Sequence, residues 1–280
     1  MEWLLSNELP VGDYAERAVD WLTDNGEGVF DALVTVLDGF VGWILWALQT
    51  PHPLVVVAAF CLVAYVVRRS IPFTIAMALG MLYCINQDFW EETTETLALV
   101  LSASSLCMAI GVPIGIFLAH RPRAYSFVRP VLDLMQTLPT FVYLIPAVVF
   151  FGLGMVPGLI ATIIFVVPAP IRLTQLGIAA TPVTMLEAGR AFGANGWQLL
   201  TKVELPSALP QILAGLTQTI MLSLSMVVIA ALVGADGLGV LILRALNTLN
   251  VGLGVSAGLA IVILAILLDR LFRPRRKKRS

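Results

Sequence analysis

Seven times along this chain an apolar run approaches the length that a bilayer demands of a helix, and that recurrence limits what the chain can become. The hydrocarbon core takes about 20 mostly apolar residues per spanning helix, and every backbone polar group inside it must be satisfied within the protein. Runs at 53–69, 71–87, 95–119, 134–155, 157–180, 209–234 and 251–272 fit this pattern. The sequence therefore predicts an all-α integral membrane protein with about seven transmembrane helices. With 59% of 280 residues hydrophobic and 12% charged, a soluble domain is excluded. No short apolar region followed by a small-residue cleavage site opens the chain, so no cleaved signal is expected.

The first 50 residues differ from the rest. Glu2, Glu8, Asp13, Glu16, Asp20, Asp24, Glu27, Asp31 and Asp38 face a single Arg17. Val11, Tyr14, Ala15, Ala18 and Leu22 recur at helical spacing, with Asp13, Glu16, Arg17 and Asp20 opposite, which predicts an amphipathic helix. From 29 to 48 the chain is apolar apart from a stripe of Asp31, Thr35, Asp38 and Gly42. Two aspartates suit an interfacial or partly inserted helix better than a lone span.

Charge orients the spans. Arg68 and Arg69, then Arg121, Arg123 and Arg129, then Arg190 and Lys202, then Arg270, Arg273 and the tail Arg275 to Arg279 mark every second connection as cytoplasmic. The alternate connections carry Asp88, Glu91, Glu92 and Glu95, or Asp236 with Arg244. An odd number of spans then places the N-terminus outside and the C-terminus inside. Between 134 and 180, Pro139, Pro146, Pro157, Pro168 and Pro170 with Gly152, Gly154 and Gly158 predict kinked or broken helices, whose freed backbone groups must face protein or a wet path.

The chain shows no energy source of its own. Its lysines, Lys202, Lys277 and Lys278, end no GxxxxGK[ST] loop, so no phosphate cradle is available. Ion coupling usually leaves a carboxylate within a span, whereas Asp133 and Asp269 lie at cytoplasmic ends. The cysteines, Cys61, Cys84 and Cys107, have no CxxC spacing and read as small apolar residues. His52 and His120 sit far apart at membrane edges, so no metal site is expected, and neither histidine stands beside a nucleophile as an intramembrane hydrolase would need. Energy should come from a partner.

One polar insert interrupts the oily pattern: EAGRAFGANGWQLLTKVELP, Glu187 to Pro206, on the basic side. Thr181-Pro182 predicts a helix start with proline at the first position, and Gly193 a stop. Asn195 with Gln198 can cap a second short helix, which Leu205-Pro206 would close. The expected object is a helical knuckle outside the bilayer.

Glu187, Ala188, Gly189, Gly193, Val203, Leu205 and Pro206 match the spacing of the cytoplasmic loop of permease subunits of binding-protein-dependent ABC importers. The family pattern is Glu-Ala-Ala, a glycine four residues later, then isoleucine and Leu-Pro. Gly189 replaces the second alanine and Val203 the isoleucine. The segments LDLMQTLPTFVYLIP, PIRLTQLGI, FGANGWQLLTKVELP and LSMVVIAALVGADGLG resemble the glycine betaine/proline/choline branch, as does the acidic N-terminal region by composition.

The resemblance implies a MetI-like core over 91–272 with a coupling loop at 182–207, preceded by two accessory helices in 51–90 and the acidic region 1–50, and followed by the basic tail 273–280. It implies a homodimer in a prokaryotic inner membrane, two copies of an ATPase subunit that bind ATP and magnesium, and an external binding protein. No cofactor in this chain and no nucleic-acid partner are expected. Glu187 and Gly193 would shape the contact with the ATPase. Trp197 would anchor in that contact or sit at the headgroup level, two readings the sequence leaves level. The tail reads as a cytoplasmic anchor, and its charge would also attract anionic lipid.

Gln136, Thr137, Tyr143, Arg172, Gln175, Ser223 and Ser225 are polar groups within the spans that must be paired or wet, and they are the candidate pathway residues. Arg172 would govern the inner mouth of a path or snorkel to the interface. Gln136, Ser223 and Ser225 would serve interhelical hydrogen bonds or touch solute. Betaine, choline or proline as cargo rests on the resemblance alone, because no aromatic cage for a quaternary ammonium is visible. A permease for methionine, a metal or a sulfonate, or a stand-alone secondary carrier, are the alternatives.

Overall fold

The structure is a computed structural model and describes residues 11–273. Glu2, Glu8 and the basic tail beyond Arg273 lie outside the described residues, as do the side chains of Val11, Ala15, Ala18 and Asp24. Every regular element among the described residues is helical: α1 Val11–Gln49, α2 Pro53–Arg68, α3 Ile71–Asn86, α4 Trp90–Ala119, α5 Pro122–Thr137, α6 Phe141–Phe151, α7 Met155–Val166, α8 Pro168–Ala179, α9 Val183–Ala191, α10 Gly196–Leu199, the π-turn Leu200–Glu204, α11 Leu205–Ala231, α12 Leu238–Asn247 and α13 Val251–Phe272.

At the centre lies α4, 30 residues long and therefore about 45 Å from end to end. It packs along α8 and against α11 and α7. Small residues allow the closeness: a Cβ at Gly111 would meet Pro170 Cγ at 2.8 Å, and one at Gly115 would meet the Ile171 carbonyl oxygen at 2.7 Å. Lipid tails are as apolar as leucine, so membrane helices associate by such close packing and not by expelling water. Leu97, Ala98, Leu99, Val100 and Ala103 of α4 join Leu159, Leu224, Val227, Leu238, Ala257 and Ala260 in the main core. Leu54, Val55, Leu62 and Val66 of α2 and Val255, Leu259, Val262 and Ile266 of α13 face outward, as helices bordered by lipid do.

The span count differs from the sequence reading. Among the described residues five helices are long and apolar enough to cross a bilayer, Asn25–Gln49, Trp90–Ala119, Met155–Ala179, Gly196–Ala231 and Val251–Phe272, or six if the bent pair α5 and α6 forms one span. Helices α2 and α3, expected as full spans, have 16 residues each, about 24 Å at 1.5 Å per residue against a core of about 30 Å. The run 134–155 is no straight span: α5 and α6 meet at 93° across Pro139. The expected breaks between 134 and 180 are present at 138–140 and 152–154, whereas the α7–α8 joint before Pro168 is a one-residue irregularity within the single rod Met155–Ala179.

Residues 29–48, expected as an interfacial or partly inserted helix, belong to Asn25–Gln49, which has the length and apolar character of a span. This helix is continuous from Val11 and packs on α4, α6 and α7. Phe30 stacks on Phe150 with ring centroids 4.7 Å apart and meets Phe151 edge-on. Tyr14 and Leu22, on the expected apolar face, are exposed, as is Trp21.

Candidate functional site

The polar insert forms the expected knuckle, with two changes in detail. Pro182 is the N-cap of α9, one place before the first helical residue. At the other end Phe192 closes the helix and Gly193 takes φ +77°. The Gly193 N–H donates to the Arg190 carbonyl at 2.9 Å and the Ala194 N–H to the Gly189 carbonyl at 3.0 Å. That is a Schellman stop, and it needs a residue free to adopt the left-handed region. The chain then reverses into α10 through a complete capping box. Gln198 N–H donates to Asn195 Oδ1 and Asn195 N–H to Gln198 Oε1, both at 2.9 Å.

Leu205-Pro206 does not close the second helix. Gly196–Ala231 runs on as one helical rod through the π-turn, where the Leu205 N–H reaches back to the Leu200 carbonyl. Pro206, which has no N–H to donate, stands just after the π-turn. The knuckle is therefore the bent beginning of a membrane helix.

Two positions that depart from the family pattern lie against one another. A Cβ on Gly189 would stand 2.7 Å from Leu199 Cδ2 and 3.6 Å from Val203 Cγ2. Glycine at 189 lets α9 close onto α10 and the π-turn. The outer side of the knuckle is unburied: no residue of α9 is buried, Glu187 and Ala188 are exposed, and Phe192 and Trp197 show 93% and 72% of their surfaces. Phe192 escaped the sequence reading, although an aromatic beside a predicted glycine stop was a usable signal.

The candidate pathway residues separate into groups. Arg172 of α8 donates from Nη2 to Asp133 Oδ1 of α5 at 2.6 Å. The buried Tyr143 hydroxyl of α6 donates to the Met135 carbonyl at 2.7 Å, closing the 93° corner. Gln136 is half-buried on α5, and Gln175 is half-buried on α8. Thr137 is exposed and donates to its own helix at Leu134. Ser223 and Ser225 face different ways on α11: Ser223 is buried and has no hydrogen-bond partner among the described residues, whereas Ser225 is exposed and donates to Met221. The α5–α6 corner thus gathers Gln136, Tyr143 and Arg172, while the serines stand apart from it.

A second pair escaped the sequence reading, which weighed His120 as a metal ligand and as a hydrolase base and found it suited to neither. His120 Nε2 stands 3.0 Å from Glu204 Oε2, joining the end of α4 to the end of the π-turn. No group of three or more metal-ligating side chains occurs among the described residues.

Helices broken by proline, a small-residue central seam and a knuckle at the head of a membrane helix define a membrane permease of the ABC importer type. The chain belongs to the family described as binding-protein-dependent transport system inner membrane component, whose model matches residues 111–274. It is similar to the glycine betaine/carnitine transport permease protein GbuB of Listeria monocytogenes, 42% identical with 96% of each chain covered. The glycine betaine transport system permease protein OpuAB of Bacillus subtilis is 45% identical, with 94% of this chain and 93% of that one covered. The glycine betaine/proline betaine transport system permease protein ProW of Escherichia coli is 43% identical, over 94% of this chain and 74% of its own length. Among solved structures, an inward-facing MetNI methionine ABC transporter matches with a TM-score of 0.60 at 24% identity, over 66% of this chain and 94% of that one. That likeness concerns the fold alone.

Proposed function

We propose that this chain is the membrane-spanning permease subunit of an ABC importer for glycine betaine and related compatible solutes such as proline betaine, choline or proline. The observation that carries the cargo is its similarity, over nearly its whole length, to three permeases named for glycine betaine transport. ATP hydrolysis belongs to a partner ATPase that holds ATP and magnesium, and solute arrives from an external binding protein. Residues 91–272 act as the core, 51–90 as accessory helices, and 182–207 as the coupling loop. Two copies of this chain stand beside two ATPase subunits in a prokaryotic inner membrane, with the N-terminus outside and the basic tail inside, near anionic lipid.

In this mechanism the exposed side of the knuckle docks on the ATPase, presenting Glu187, Ala188, Phe192 and Trp197. When the ATPases close on ATP, the knuckle moves as one piece, because the Schellman stop, the capping box and the Gly189–Leu199 contact hold its two limbs together. It continues directly into α11, so its motion enters the membrane without a flexible joint. The broken helices α5 to α8 then switch access, with Gln136, Thr137, Tyr143, Arg172, Gln175, Ser223 and Ser225 lining or bracing the route.

The test is uptake of labelled glycine betaine, choline and proline by cells with and without this gene and its ATPase gene. Betaine uptake that needs both genes is the expected result. Equal uptake without the ATPase would indicate a secondary carrier, and uptake of methionine, a metal or a sulfonate instead would move the chain to another branch.

A further inference from the structure

Glu204 is the one buried charged residue among the described residues, 8% exposed. A buried carboxylate is retained only with a partner. Here the partner is His120, 84 positions earlier, whose Nε2 lies 3.0 Å from Oε2 and 3.2 Å from Oε1. The same ring places Nδ1 2.9 Å from the Ile116 carbonyl oxygen, within the last turn of α4. A neutral imidazole carries one N–H and satisfies one of these acceptors; the imidazolium donates to both. The ring thus sits between two acceptors, the Ile116 carbonyl of α4 beside Nδ1 and the Glu204 carboxylate at the end of the π-turn beside Nε2.

The position of the pair gives it a task. Glu204 ends the π-turn, and such one-turn expansions inside α-helices recur at functional sites. Beneath it, Leu200 and Leu205 pack with Ile116 and Ala119 of α4 and with Ile178, Ala208 and Ile212. That apolar contact resists compression but slides easily, whereas a charge-assisted hydrogen bond has direction and resists pulling. At its far end, Thr96 of α4 accepts a hydrogen bond from the Leu238 N–H at 2.9 Å.

We propose that His120 and Glu204 form the strut that carries movement of the knuckle into α4, the central helix, making both positioning residues for coupled transport. This rests on the reading of the knuckle as the ATPase-docking element. Spatial intermediacy alone does not establish a coupling route, so the test must measure coupling.

The experiment uses the complete importer, this chain with its ATPase and binding protein, in liposomes, and reads solute moved per ATP hydrolysed. Glu204→Gln and His120→Gln should each assemble with the ATPase, hydrolyse ATP, and lose about tenfold in that ratio. The double variant should be no worse than either single one, and the exchanged pair His120→Glu with Glu204→His should recover most of the loss. If Glu204→Gln fails to assemble, Glu204→Asp, which keeps the charge but withdraws the carboxylate by one methylene, takes its place with the same expected loss. Wild-type ratios in the single variants, or losses that multiply in the double, overturn the strut. Glu187→Lys in the same assay keeps the two readings apart. If it uncouples while the His120 and Glu204 variants do not, the strut alone fails. If it too leaves the ratio unchanged, the docking role of the knuckle fails with it.

Discussion

Arg172 on α8 is bound through Nη2 to Asp133 of α5 at 2.6 Å, with Arg129 a turn away at 4.0 Å from the other carboxylate oxygen. The cation in the middle of an otherwise uncharged helix thus has its counter-charge in the protein. The contact ties α8, seated on the central helix, to the arm that turns the α5–α6 corner.

Because Asp133 is half-exposed, the pair adds little to stability, about 1 kcal/mol or less. Arg172→Gln and Asp133→Asn should therefore shift the melting temperature of the purified complex by only a few degrees. Initial uptake rates should fall several-fold, and the double variant should match the worse single one. A melting shift as large as that of a core cavity variant would mean that the pair holds the fold and does not govern the route.

The seam between α4 and α8 makes the opposite prediction. Gly115→Ala sets a methyl group 2.7 Å from the Ile171 carbonyl oxygen, a backbone atom that cannot rotate away. Forcing the helices apart should cost about 1–3 kcal/mol, read as a lowered melting temperature. Gly42→Ala on α1, where a Cβ would meet nothing within 4 Å, should be neutral or stabilising by about 0.5–1 kcal/mol because alanine favours the helix.

These contacts show what the sequence could and could not disclose. The knuckle was legible because its signals are local: a glycine stop at Gly193, the Asn195–Gln198 box, and family spacing. The break at Pro139 was legible for the same reason. The fate of Leu205-Pro206 was not, since a proline after an apolar leucine reads locally as a helix end, whereas here the π-turn at Leu200–Glu204 carries the helix past it. Nor was the His120–Glu204 pair, whose members are distant in sequence and ordinary when taken singly. The apolar runs at 53–69 and 71–87 were legible as helices, each ending one residue before its run does, at 16 residues, because Pro53 and Pro72 mark the starts locally.

Tyr143 offers a test of the corner. Its hydroxyl donates to the Met135 carbonyl, one of the last-turn acceptors that α5 leaves without an intrahelical partner. Tyr143→Phe keeps the ring and removes the donor, and should cost about 1 kcal/mol. The expected signature is a modest drop in melting temperature with faster hydrogen exchange confined to 134–144; unchanged exchange there would mean that the apolar packing of Leu144 and Ala147 holds the bend unaided.

Gly193 separates backbone geometry from side-chain contact. At φ +77° with open space around its Cα, the position objects to a side chain by conformation and not by crowding. Asparagine visits the left-handed region more readily than other residues, so Gly193→Asn should retain coupled transport. Gly193→Val should strain the stop by about 1–2 kcal/mol and weaken association with the ATPase. Equal behaviour of the two variants would detach the Schellman stop from coupling.

Phe192 and Trp197 decide what the outer side of the knuckle is for. Both are large, aromatic and mostly unburied within this chain, so truncating either removes few internal contacts and should leave the melting temperature of the isolated permease nearly unchanged. Aromatic residues that fill a partner's groove carry a large share of interface energy, and losing one costs about 2 kcal/mol or more. Phe192→Ala and Trp197→Ala should each weaken binding of the ATPase subunit by at least about tenfold, measured by titrating the detergent-solubilised permease. A headgroup-level role for Trp197 makes a different prediction: ATPase affinity stays put, while fluorescence of Trp197 is quenched by brominated lipid in vesicles. The two residues need not agree. Phe192 precedes the glycine stop and points away from both limbs, so its loss should weaken docking even if Trp197 proves to belong to the lipid surface.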